Sequence, residues 1–416
     1  MEENPDEKWI VSWETNRGCP FSCTYCDWGS AINSRVARFE IERLYKELDW
    51  FAKNKVEFIY VCDANFGMLP RDYDIVEYAG KLKQTIGYPH ILSVQSTKNA
   101  RERSYKVQKA LFKYGLTKGI NIALQSTDAH TLKAIKRDNI SITDYQILQK
   151  RFAADGIPTY SDFIIGLPGD NYEKFANGVS DLIISGQHNR IQYANLSILP
   201  NAEMAQQEYI KKYELETVKA PIVNQHGSLD ETPADNIFET QEFVISTKDM
   251  PKDDWIKTRT FASTSEFLYF NKILQVPSML IYALHPNCSY KTIFEKFMNV
   301  NNEEDFPAIT AVNKILKDNA VGITNGKAEF IYSDKWLQIY WPPGEFAIIQ
   351  LFIKDKIKEF YKESIVLLQQ IMEDKKYDLL IEEAVWFNYK LLRKPMVKGN
   401  IKFSMHYNIL DFYINA

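Results

Sequence analysis

An α/β fold with a parallel sheet of six strand–helix units, followed by a mostly helical second half, is what this sequence predicts. Three observations carry that expectation. Short apolar runs of strand length alternate with segments of helical periodicity through the first half. A cluster of three cysteines lies in the loop after the first strand. Beyond residue 250 the periodicity is almost entirely helical. The domains are expected at 1–205 and 206–416.

The strands are expected at Ile10–Glu14, Glu57–Cys62, Ile91–Gln95, Gly119–Leu124, Thr159–Ile165 and Ile191–Leu199. Between them, Ile41–Lys53 places Ile41, Leu44, Tyr45, Leu48 and Phe51 on one helical face. Tyr73–Thr85, Ser104–Tyr114, Ala129–Ile135, Tyr145–Ala154 and Tyr172–Ile184 complete the alternation. Strand, helix, strand in this order implies right-handed crossovers and parallel pairing. Chemistry then gathers where strands end in loops. In the second half, 200–254 reads as an irregular covering segment. Helices are expected at Trp255–Leu284, Ala308–Lys317, Phe346–Glu373 and Asp378–Leu392, with an aromatic hairpin at Ala328–Trp341. The aromatics line a substrate cleft or simply pack.

The chain has 416 residues, 45% of them hydrophobic, which suffices for a large core. A net charge of −4 argues against a nucleic-acid partner. No apolar run reaches the length of a membrane span, and Met1–Lys8 is too acidic for a signal peptide. Five cysteines, three of them clustered, fit a reducing cytoplasm rather than a disulfide scaffold.

The cluster reads Cys19-Pro-Phe-Ser-Cys23-Thr-Tyr-Cys26. Thiolates are soft ligands suited to iron–sulfur clusters and zinc. Three of them leave one corner of a tetrahedral site open, whereas structural zinc closes its shell with four. A catalytic [4Fe-4S] cluster with one iron free fits better than zinc or three buried structural cysteines.

CxxxCxxC with an aromatic before the last cysteine resembles the radical SAM superfamily. The resemblance implies that Cys19, Cys23 and Cys26 bind the cluster and that S-adenosylmethionine chelates the open iron. It further implies that Tyr25 lies against the adenosyl group, and that an external electron donor of flavodoxin or ferredoxin type reduces the cluster. Sulfonium cleavage would then give a 5′-deoxyadenosyl radical. The six units match the partial (β/α)6 barrel of that superfamily. Asp63-Ala-Asn-Phe-Gly67 falls where relatives contact the methionine amino group. Asp63 and Asn65 offer acceptors there, although the usual Gly-Gly-Glu is missing and an ordinary turn is the alternative. Gln125 and Ser126 fall where relatives contact ribose or carboxylate. Arg137 matches a carboxylate-binding base, or is a solvated charge at a helix end. Ile164 and Gly166, in Phe163–Gly169, resemble the segment that meets adenine through its backbone, or form a plain turn. Gln95 and Lys98 share the same rim.

Glu14–Gly29, Asp63–Gly67, Leu124–Thr127 and Glu242–Met250 resemble the cobalamin-associated branch. With only 18 residues ahead of Cys19, the branch's N-terminal cobalamin domain is expected to be absent. Hydrogen-atom abstraction from a ribosomally made peptide, as in radical SAM epimerases, is therefore the leading expectation. Cys288 is then the candidate hydrogen donor, or a buried thiol, and Cys62 reads as a core thiol. The alternatives are a methyltransferase or cyclase on a small metabolite, with cobalamin supplied by a partner, and a non-catalytic iron–sulfur or zinc module.

Overall fold

The computed structural model describes residues 7–28, 35–97, 101–228, 239–392 and 399–415. Lys98 lies outside them. The chain divides into two compact units. The first runs to Asp170 and takes in Ile184–Glu214; the second takes Asn171–Ile183 and the chain from Leu215 onward. The boundary expected at 205 thus falls some residues later. Tyr209, in the short helix Gln207–Tyr213, explains the difference: its hydroxyl meets Thr24 Oγ1 at 3.0 Å and donates to the Ala134 carbonyl at 3.1 Å.

All six expected strands are present: β1 (Ile10–Trp13), β2 (Phe58–Val61), β3 (Ile91–Ser93), β4 (Ile120–Asn121), β5 (Thr159–Ile165) and β6 (Arg190–Asn195). They form two parallel three-stranded sheets, β1-β2-β3 and β4-β5-β6. Registers run Ile10↔Phe58, Phe58↔Ile91, Ile120↔Thr159 and Tyr160↔Arg190. Among the described residues no ladder joins β3 to β4, so the barrel is open. In the first sheet Ile59, Val61 and Leu92 are fully buried. They pack with Leu44 and Leu48 of α1 (Ile41–Lys53), Ile75 and Val76 of α2 (Asp72–Ile86), and Val107 and Leu111 of α3 (Arg101–Lys113). Each such side chain contributes roughly 1.5–3 kcal/mol on burial. Ile120 anchors the second sheet against Leu148 and Phe152 of α5 (Ile142–Ala154), which follows the short α4 (Ala129–Ala134).

The second unit is mostly helical, but two long helices are broken. Lys252–Ser265 winds into a π turn, Glu266–Phe270, and resumes as Gln275–Leu284 after a 94° bend. Backbone groups freed at the bend are satisfied across the unit. Asn388 donates to the carbonyls of Lys272 (2.6 Å) and Ile273 (2.8 Å) and accepts from Val276 N (3.0 Å), and Tyr361 donates to Ile273 (2.8 Å). The expected helix Phe346–Glu373 is two, Pro343–Ile353 and Ile357–Met372, parted at Asp355, whose φ is +52°. Helix Pro307–Thr324 starts on its proline, and Glu363 caps it by accepting from Ala308 N and Ile309 N at 2.9 and 2.8 Å. The covering segment contains an antiparallel pair, Glu216–Pro221 with Thr240–Ser246. The hairpin is present as Ile331–Ser333 with Ile339–Trp341. Among the described residues no single helix is long and apolar enough to cross a membrane.

Candidate active site

The cysteine loop leaves β1 through Thr15-Asn16-Arg17-Gly18 and is held from three directions. From β2, Asp63 is fully buried, and its carboxylate accepts from Thr15 N (2.8 Å), Asn16 N (3.1 Å), Asn16 Nδ2 (2.6 Å) and Thr15 Oγ1. Burial raises its pKa, and the bonds from Thr15 and Asn16 and the charge of Arg71 oppose the rise. Arg71 donates to the Thr15 carbonyl at 2.6 Å and to that of Phe39. From α4, Ile135 O accepts from Thr24 N at 3.0 Å. From the end of the unit, Met204 N donates to Thr24 O at 2.8 Å.

Gly18 makes the approach possible. Its φ is +113°, and a Cβ there would lie 1.8 Å from the Arg35 carbonyl oxygen. Cys19 and Cys23 are 5% and 6% exposed and Cys26 is half-buried; a Cys26 N to Cys23 O bond of 3.1 Å closes a turn between them. None of the three is in a disulfide. Asn65, 1% exposed, donates from Nδ2 to Cys19 Sγ at 3.1 Å.

This donor set fits a [4Fe-4S] cluster. It is all sulfur, sheltered, and supported by an amide N–H to one sulfur. Among the described residues no three His, Cys, Asp or Glu side chains converge on a single-ion site. In a [4Fe-4S] cluster three thiolates bind three separate irons rather than one shared ion.

The remaining expected residues fall around this loop with differing tasks. Arg137 is 6% exposed, so it is no solvated helix-end charge. It donates to Tyr25 Oη at 2.7 Å, to Ala123 O at 2.6 Å and to Asn139 Oδ1 at 2.7 Å. Burial pushes the Tyr25 phenol upward, against the pull of Arg137. Gln125, at φ +67°, extends the β4–β5 pairing: its N–H donates to Asp162 O (2.7 Å) and its carbonyl accepts from Ile164 N (3.0 Å). The Ile164 N–H is therefore engaged in the sheet; Gly166, at φ +92°, lies just past the strand. Ser126 Oγ accepts from Asp128 N at 3.2 Å and opens the turn into α4, which Asp128 caps. Gln95 carbonyl receives Phe66 N at 2.8 Å, tying the Asp63–Gly67 turn to β3.

Sequence reasoning missed Thr15, Asn16, Arg71, Asn139 and Tyr209. It also missed Asp72, which accepts from Gly67 N (2.7 Å) and Leu69 N (2.9 Å) and whose pKa burial raises to about 6. Polar residues flanking the cysteine loop and the Asp63 turn were the available signal. Cys62 is half-buried, with Sγ 3.7 Å from Tyr60 O. Cys288 belongs to the second unit, just before helix Tyr290–Met298; it is 6% exposed, and burial pushes its thiol up.

Comparison with known proteins bears on this geometry. Residues 13–182 match the radical SAM superfamily model. A cobalamin-dependent radical SAM methyltransferase, TokK of Streptomyces tokunonensis, is 41% identical over 263 residues, 63% of this chain and 38% of that protein. The 2-(S-pantetheinyl)-carbapenam-3-carboxylate methyltransferase of Streptantibioticus cattleyicolor is 37% identical over 292 residues, 70% of this chain and 42% of that protein. The chain thus spans about two fifths of the length of these curated relatives. Among solved structures, the radical S-adenosylmethionine methyltransferase TsrM from Kitasatospora setae is 14% identical, covering 58% of this chain and 49% of that one, with a TM-score of 0.42. With its buried three-cysteine loop at the end of β1, this chain carries a radical SAM domain at residues 13–182.

Proposed function

We propose that the chain is the catalytic part of a radical SAM methyltransferase acting on a small molecule in natural-product biosynthesis. The observation that carries this reading is its identity, 41% and 37%, to two methyltransferases. Cys19, Cys23 and Cys26 would hold the cluster, which, with S-adenosylmethionine and an external one-electron donor, supplies reductive cleavage of the sulfonium. The chain's own residues keep the loop rigid and dry. Asp63 and Arg71 fix its entry, and Arg137 fixes Tyr25. Asn65 Oδ1, buried and without a partner among the described residues, is the acceptor best suited to the cofactor ammonium. Gln125, Ser126 and Gly166 sit at the neighbouring strand ends.

Peptide epimerisation has less behind it. Its residue-level support is Cys288, a buried thiol held in its ordinary protonated form.

The test supplies reconstituted, reduced protein with methyl-labelled S-adenosylmethionine, hydroxocobalamin and 2-(S-pantetheinyl)-carbapenam-3-carboxylate. The expected result is a product carrying one labelled methyl group and no transfer when the corrinoid is omitted. Formation of 5′-deoxyadenosine with no label in any product would overturn this reading, and solvent deuterium entering a peptide supplied in a parallel reaction would replace it with the epimerase one.

A further inference from the structure

We infer that Asn65 is a positioning residue that sets the reduction potential of the cluster, through the hydrogen bond from its side-chain amide to Cys19. The inference rests on the radical SAM reading of the three cysteines and adds a role for a residue that ligates nothing.

The bond is built rather than incidental. Asn65 and Cys19 are 46 residues apart, and both side chains are shut away from water. The turn that carries Asn65 is fixed on both sides. Asp63 is clamped to Thr15 and Asn16. Beyond Asn65, Phe66 N donates to Gln95 O at 2.8 Å, Thr97 N to Phe66 O at 2.9 Å, and Gly67 N to Asp72 Oδ2 at 2.7 Å. The amide therefore has little freedom to leave Cys19. Its orientation is dictated by charge: turned the other way, the amide oxygen would face a thiolate, and two electron-rich atoms would meet in a site that screens them poorly.

A hydrogen bond to a cluster sulfur draws electron density from the thiolate. It stabilises the reduced cluster, which carries one more negative charge, over the oxidised one, and so raises the potential. In a sheltered site that contribution is not diluted by competing water. Asn65 thereby makes the cluster easier to reduce by its external donor.

EPR-monitored redox titration of the reconstituted holoprotein reads the effect directly. Asn65→Leu removes the donor, and Asn65→Asp keeps the shape while replacing the donor with a negative charge. Both are expected to hold iron and sulfide at the wild-type ratio and to titrate at a more negative potential, Asn65→Asp the lower of the two. Identical potentials in all three proteins with full clusters would overturn the inference and leave the radical SAM reading standing. A wild-type protein that assembles no cluster would overturn both. Should either variant fail to hold a cluster, the wild type decides. With 15N confined to asparagine side-chain amides, its reduced cluster should show a weak 15N hyperfine coupling in pulsed EPR. A spectrum without that coupling overturns the inference.

Discussion

Cys23→Ala should leave the chain folded and strip it of iron. Cys23 is buried in the middle of the loop, and its neighbour Thr24 is tied to Ile135 and Met204. The loop therefore keeps its path when a single sulfur is removed, and truncating that side chain costs only about 1 kcal/mol of packing. The cluster does not survive, because two thiolates cannot replace three. Iron and sulfide are expected to fall to background, and 5′-deoxyadenosine formation with them, while the thermal midpoint of the metal-free protein barely moves. Cys19→Ala and Cys26→Ala should behave alike. Cys62→Ala and Cys288→Ala should retain the full cluster and radical formation, since neither residue belongs to the Cys19–Cys26 loop. Iron content across the five variants checks the assignment residue by residue.

Gly18→Ala is the second large effect, and it works through the backbone. At φ +113° an L side chain is strained whatever surrounds it. Here the added Cβ would also fall 1.8 Å from the Arg35 carbonyl oxygen, a backbone atom that cannot swing aside as a flexible side chain would. The chain must shift where it enters the cysteine loop, one residue before Cys19. A loss on the order of 3–4 kcal/mol is expected, and reconstitution should give substoichiometric iron. Chemical denaturation of the metal-free protein, compared with iron counts after reconstitution, separates the stability effect from the ligand effect. Wild-type values for both would show that the loop takes another path.

Much of this was legible in the sequence because it is local. The apolar run Phe58–Val61 of β2 and the apolar end of β5, Phe163–Ile165, stand out as strands in the sequence. The cysteine spacing is visible without any fold. What could not be read depends on partners brought together from afar. Asp63 looked like an acceptor for the cofactor, yet its carboxylate is taken up by Thr15 and Asn16, 48 and 47 residues away. Arg137 meets Tyr25 across 112 residues, and nothing in either local sequence announces the pair. The Ile164 backbone was read only as a candidate contact for adenine, whereas its N–H donates to the carbonyl of Gln125, which bridges to Phe163 in a left-handed conformation. Two helix breaks were missed, although Pro277, in the first turn of Gln275–Leu284, was a local mark of the first. The bend after Phe270 is stabilised by Asn388 and Tyr361, about 90 to 120 residues downstream. The Lys-Asp-Lys triplet at 354–356 was the one local hint of the second break.

Mössbauer spectroscopy of 57Fe-reconstituted protein tests the central claim most directly. Three cysteine ligands leave one iron of the cluster without a protein thiolate. The account predicts a [4Fe-4S] spectrum in which adding S-adenosylmethionine shifts a single iron site and leaves the other three unchanged. Four irons that all ignore S-adenosylmethionine, or a protein that takes up one zinc and no sulfide, would contradict it.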